Sequence, residues 1–184
     1  LVFTLFFMSY KLNVPVVINS LLWAVFFLKS LLNNEAEIVG PYKSAEILYL
    51  GLESLLAYGA LHESAWFLDA LKSISVFGIV GSIPCVVSPE FGCKLWGVVG
   101  MDKLTPAFGH GLGYNLITIN AFNAALAWGV NPRIAFGYII ALFWGVLGNM
   151  KTLITPEFKE VEINKKTVMF WSTMWSVTAA VVLA

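Results

Sequence analysis

The sequence is short of charge. Only 12% of its 184 residues are Asp, Glu, Lys or Arg, and eleven acids cancel eleven bases. A soluble domain carries about a quarter charged residues. The zero balance leaves no basic footprint, so no nucleic-acid partner is expected. Histidine is limited to His62 and His110, and cysteine to Cys85 and Cys93. With no CxxC spacing, no zinc site is expected. The two thiols either pair or pack as small apolar groups. There is no ExxH pair, GxSxG, HExxH or P-loop, and the scattered serines assemble no nucleophile–base–orienter set. The opening "LVFTLFFMSYK" has no basic region ahead of its apolar run, so it does not read as a signal peptide. It reads as the tail of a helix that begins in a longer chain.

What abounds is apolar surface: 59% of residues are hydrophobic and mean hydropathy is +0.80. A spanning helix needs roughly 20 mostly apolar residues. Six segments approach that: A (14–32), B (45–61), C (66–87), D (106–128), E (132–150) and F (166–184), with residues 1–10 as a partial seventh. The expected fold is all-α, a polytopic transmembrane bundle of six full spans plus that partial N-terminal one. Pro15, Pro106 and Pro132 stand near helix starts, where a missing N–H costs nothing. Pro84, late in C, should bend or end it.

Alternating spans put the loops 33–44, 88–105 and 151–165 on one side. They and their flanks hold Lys29, Lys43, Lys94, Lys103, Lys151, Lys159, Lys165 and Lys166, against Lys11, Lys72 and Arg133 opposite. The positive-inside rule then turns the lysine-rich long loops toward the cytoplasm, matrix or stroma. The half-apolar C–D loop should lie partly along the interface.

An internal repeat is also legible. Residues 12–34 and 129–151 share an Asn and a Pro at the helix start, an aromatic-rich span and an Asn near the end. A and E would run in the same direction, as parallel repeats require. This suggests two tandem four-helix units, 1–61 (its start missing) and 65–184. The succession "PEFGCKLWGV", "LTPAFGHGLGYN", "AWGVNPRIAFGYI" resembles small four-helix membrane proteins of the DoxX-like kind, over residues 65–184. That resemblance implies a four-helix bundle unit and assigns no functional residue.

Four residues stand out as contacts for a cofactor or ligand. Glu53 is a carboxylate at mid-span, where charge is costly. It would serve as a proton carrier, a ligand, a substrate contact or a hydrogen-bonded group between helices. His110 is the one histidine inside a span, and imidazole suits a porphyrin-type metal. Its commoner use is interhelical hydrogen bonding. His62 closes B, on the opposite face by the alternating topology, so the two histidines would not share a metal. In D, "FGHGLGYNLITINAF" sets Gly109 and Gly113 four apart, the small-xxx-small spacing that lets helices approach closely. Asn120 and Asn123 share a face, and Asn123 joins the contact candidates. The tryptophans fit interfacial belts or the lining of a lipid, quinone or pigment site.

The reading these features support is a non-catalytic accessory subunit of a large energy-transducing membrane complex. A photosystem-type assembly in the thylakoid is favoured, with chlorophyll, carotenoid and lipids as the expected cofactors. Its partners would be other membrane subunits and the lipid bilayer, and the mitochondrial inner membrane is the other location. The alternative is a small membrane enzyme or lipid-handling protein with Glu53 in a pocket near Tyr49 and Tyr58. A transporter rests only on the repeat.

Overall fold

The computed structural model describes residues 13–33, 43–95, 97–98, 101–102, 104–155, 158 and 163–184. The described residues are mostly helical, with no strand among them. Helix α1 spans Asn13–Leu32, α2 Lys43–Leu61, α3 Phe67–Val87, α4 Pro89–Leu95 and α5 Thr105–Ala127. Next, α6 (Pro132–Ala135), a π-helix (Phe136–Gly148) and α7 (Asn149–Lys151) form one rod, and α8 is Lys165–Leu183. The long helices follow segments A to F closely. The partial span at 1–10 and most of the 33–44 loop lie outside the described residues.

Six full spans are not supported. Among the described residues, two helices are long and apolar enough to cross a membrane, Phe67–Val87 and Pro132–Lys151. The others are diluted by the groups that gave them character. Helix α2 carries Glu46 and Glu53, and α5 carries His110, Asn115, Asn120 and Asn123. Helix α8 starts with Lys165 and Lys166 and holds Ser172, Thr173, Ser176 and Thr178. Helix α1 is apolar over the shorter stretch Val16–Leu32.

The chain divides into two compact units, Leu1–Ile74 with Lys94–Val99, and Ser75–Cys93 with Gly100–Ala184. One boundary between them falls inside α3, at Ile74 and Ser75. In the first unit, α1 and α2 pack against each other as a hairpin. In the second, the π-helix rod packs against α5 and α8.

Local sequence explains the stops and starts. "AWGVNPR" ends α5 and opens α6. Gly129 takes φ +80°, its N–H reaches Leu126 O and the Val130 N–H reaches Ala125 O. That is a Schellman stop. Asn131 then accepts the Arg133 N–H at 2.9 Å, with Pro132 in the first turn. Helix α2 closes the same way, through Ser64 N–H to Gly59 O and Glu63 N–H to Ala60 O. There the left-handed position falls on Glu63, at φ 48°. Helix α3 runs through Pro84 and stops at Val87. The C–D loop contains α4, seven residues long.

Candidate functional site

Two clusters collect the polar chemistry, one in each unit. In the first unit, the facing sides of α1 and α2 carry a polar seam. Ser30 donates to Glu46 Oε1 at 2.7 Å, and both residues are buried. Two turns along α2, Glu53 takes a hydrogen bond from the Ser20 hydroxyl, itself 1% exposed. Glu46 and Glu53 are seven apart, so they share one face of the helix. Tyr49 lies between them and stacks on Phe27 with ring centroids 5.6 Å apart. The second carboxylate oxygens of Glu46 and Glu53 are buried without a hydrogen-bond partner. Val16, Ala24, Leu56, Ala57 and Ala60 fill the rest of the contact. Tyr58 is 58% exposed and takes no part. His62 packs on Tyr58 at 4.4 Å between centroids, at the exposed end of α2.

In the second unit, α5 is the organising helix. His110 is buried, and its ring meets the edge of Phe158 at 5.8 Å. One turn on, the Tyr114 hydroxyl donates to Phe143 O and the Tyr114 ring stacks on Phe143 at 4.9 Å. Lys151 Nζ stands 3.6 Å from the centre of that ring, a cation–π distance. Asn115 accepts from the Trp144 indole N–H. Asn123 is half-buried on the same helix.

The glycines of α5 sort by face. A Cβ on Gly113 would meet Cys85 Cβ at 2.5 Å, Ser82 O at 3.1 Å and Val86 Cγ2 at 3.4 Å. One on Gly109 would collide with Cys93 Sγ, whereas one on Gly111 would meet nothing within 4 Å. The small-xxx-small pair is thus pressed against α3 and α4. Gly78 lies against the Asn120 side chain, where a Cβ would be 2.5 Å from Nδ2. Cys85 and Cys93 are both free and buried.

At the entrance of α5, Asp102 Oδ1 accepts the Leu104 N–H at 3.0 Å, the Thr105 N–H at 2.8 Å and the Thr105 hydroxyl at 2.7 Å. These bonds, led by the Thr105 hydroxyl, hold the Asp102 carboxyl below the usual carboxylate range.

Glu53 and His62 belong to the first unit, His110 and Asn123 to the second. Glu46 and Ser30 were not singled out from sequence, although the seven-residue spacing to Glu53 marks Glu46. Asp102 was also missed. Its signal is the "DKLTP" string, a short acid three residues ahead of a threonine and a proline. Among the described residues, no group of three or more His, Cys, Asp and Glu is placed to hold a metal ion. No known protein family, no curated protein and no solved structure matches the chain, so the likeness to DoxX-like proteins stands on the quoted segments alone.

Proposed function

We propose that the chain is a non-catalytic, membrane-embedded accessory subunit of a larger energy-transducing complex. The observation that carries this reading is the outward apolar surface of its helices. On α8, Phe170, Met174, Val177 and Val181 form one stripe and are 58%, 47%, 54% and 69% exposed. Helix α1 presents Leu21, Leu22, Val25 and Phe26 outward, and α3 presents Phe77, Val80 and Val87. Monomeric soluble proteins rarely expose such contiguous surface. Lipid tails and neighbouring transmembrane helices are the surroundings that suit it. Ser20, Ser30, Glu46, His110, Thr118 and Ser172 are buried instead, as polar groups between helices in lipid should be.

A photosystem-type assembly in the thylakoid remains the specific form of this proposal, with the mitochondrial inner membrane second. The lysine-rich loops would then face the stroma or matrix. His110 would hold the chlorophyll, and carotenoid or lipid would cover the exposed aromatic faces. Holding a pigment's metal would need an imidazole with an open face. Phe158 lies against the His110 ring, so the pigment form requires that ring to move aside, and it ranks below the general accessory role.

Mild-detergent extraction, native electrophoresis and an absorption spectrum of the tagged chain test the reading. It expects co-migration with other membrane subunits and loss of the chain when they are removed. A chain that purifies alone, monomeric and stable, would refute it. The second reading, a small membrane enzyme or lipid-handling protein, is favoured by the buried unpartnered oxygen of Glu53. It requires an activity of the isolated chain that Glu53→Gln abolishes.

A further inference from the structure

Cys85 and Cys93 are the chain's only cysteines. Both are buried and free, Cys85 at 8% exposure and Cys93 at 5%. They lie near each other because α4 folds back tightly on the end of α3. A Cβ on Gly92 would stand 2.5 Å from Cys85 Cα and 2.8 Å from Cys85 Sγ. Gly92 is the residue beside Cys93. One bond length and one Cα step therefore put the two cysteine Cα atoms within about 8 Å at most. Disulfides span about 4.4 to 6.8 Å between Cα atoms. Cys93 also lies within electrostatic range of Cys85.

The present sulfur contacts are weak. Cys93 Sγ–H points at Thr105 O across 3.8 Å, in the first turn of α5. Its Sγ also seals against Gly109, and Cys85 seals against Gly113. Drawing the two sulfurs together would detach Cys93 from both Thr105 and Gly109.

We propose that Cys85 and Cys93 are a reversible dithiol–disulfide pair that fastens α4 to the end of α3 and, when oxidised, frees the first turn of α5 from Cys93. The proposal stands independently of the accessory-subunit reading. The oxidant is a disulfide of low molecular weight or of a partner protein. Cys93, on the short helix between long ones, reacts first. Its thiolate attacks one sulfur of the oxidant and forms a mixed disulfide, expelling one thiolate. The Cys85 thiolate then attacks the Cys93 sulfur, forms the Cys85–Cys93 bond and expels the second thiolate. The protein loses two electrons and two protons, and the oxidant becomes two thiols.

The test uses the chain in detergent, equilibrated with oxidised and reduced glutathione and read by maleimide counting and intact mass. The wild type should lose both thiols together, gain no glutathione mass, form no disulfide between chains and recover both thiols with a phosphine reductant. Cys85→Ser should stop at one bound glutathione on Cys93. A wild type that keeps two free thiols, ends as a glutathione adduct, or cross-links between chains overturns the proposal. Cys93→Ser distinguishes the order of attack: rapid glutathione uptake at Cys85 in that variant refutes Cys93 as the entry point.

Discussion

Adding one methyl group to α5 should have opposite effects at two positions only two residues apart. At Gly111 a new Cβ meets nothing within 4 Å. There the gain is helix propensity, about 1 kcal/mol for alanine over glycine. At Gly113 the same gain is offset by a Cβ 2.5 Å from Cys85 Cβ and 3.1 Å from the backbone oxygen of Ser82. A backbone oxygen and a first side-chain carbon have little freedom to yield, and overpacking of this kind costs about 1–3 kcal/mol. The propensity term cancels between the two variants. Gly113→Ala should therefore be less stable than Gly111→Ala by about 1–3 kcal/mol, each 1.4 kcal/mol being about tenfold in the equilibrium. The chain reports on itself, because Cys85 and Cys93 both lie at this seam. Pulsed maleimide labelling across a denaturant series in mild detergent, with a non-thiol reductant present, gives each midpoint. Coincident midpoints, or a less stable Gly111→Ala, would mean that α5 does not meet α3 along Gly113.

The remaining expectations concern other contacts. Gly145→Ala should lose stability by about 1–3 kcal/mol, because its Cβ would run into the Trp175 side chain; denaturation followed by tryptophan emission checks it. Ser30→Ala should destabilise the α1–α2 hairpin by about 1–3 kcal/mol, since it leaves buried Glu46 without its donor; Ser30→Thr, which keeps a hydroxyl, should lose less in the same denaturation. Glu63→Gly should add about 1 kcal/mol by removing a side chain from a left-handed position, seen as a higher midpoint. The Asp102 carboxyl is depressed by its bonds to Thr105, so its contribution is present above the ordinary carboxylate pKa and is lost as pH falls through the lower folded value. An acid titration of helicity at the start of α5 should show that loss in the wild type, and Asp102→Asn should show none.

The helices were legible because apolar runs of near-constant length, punctuated by Pro and by "GVNP", leave few alternatives. Their ends agree with the sequence reading to within about two residues. The number of membrane crossings was not legible, because residues that stabilise helix–helix contacts also lower hydropathy. Asn115, against Trp144, and Asn120, against Gly78, did both on α5. The close approach at Gly109 and Gly113 was readable from their spacing, but their partners were not. Nothing local announces that Cys85 and Cys93 will be the surfaces they meet. The π-helix at 136–148 left no trace either, since an apolar run such as "FGYIIALFWGVLG" satisfies both windings. Glu53 was visible as an isolated carboxylate. The serines that serve it and Glu46 were hidden, because a serine in an apolar helix has no sequence signature of its partner.

The paired serines and glutamates of α1 and α2 act as a key to the hairpin's register. Sliding one helix past the other by a single turn, about 5.4 Å, would carry both carboxylates away from these hydroxyls. Two separate teeth must mesh at once, so a slipped hairpin is penalised twice. The same key bears on whether α2 holds its shape without α1. Helix α2 alone would leave Glu46 and Glu53 without the hydroxyls that serve them, and a buried acceptor that loses its donor is costly. Alongside α1 it finds those partners already placed. The two helices are therefore built to fold together, as one hairpin, and not one after the other.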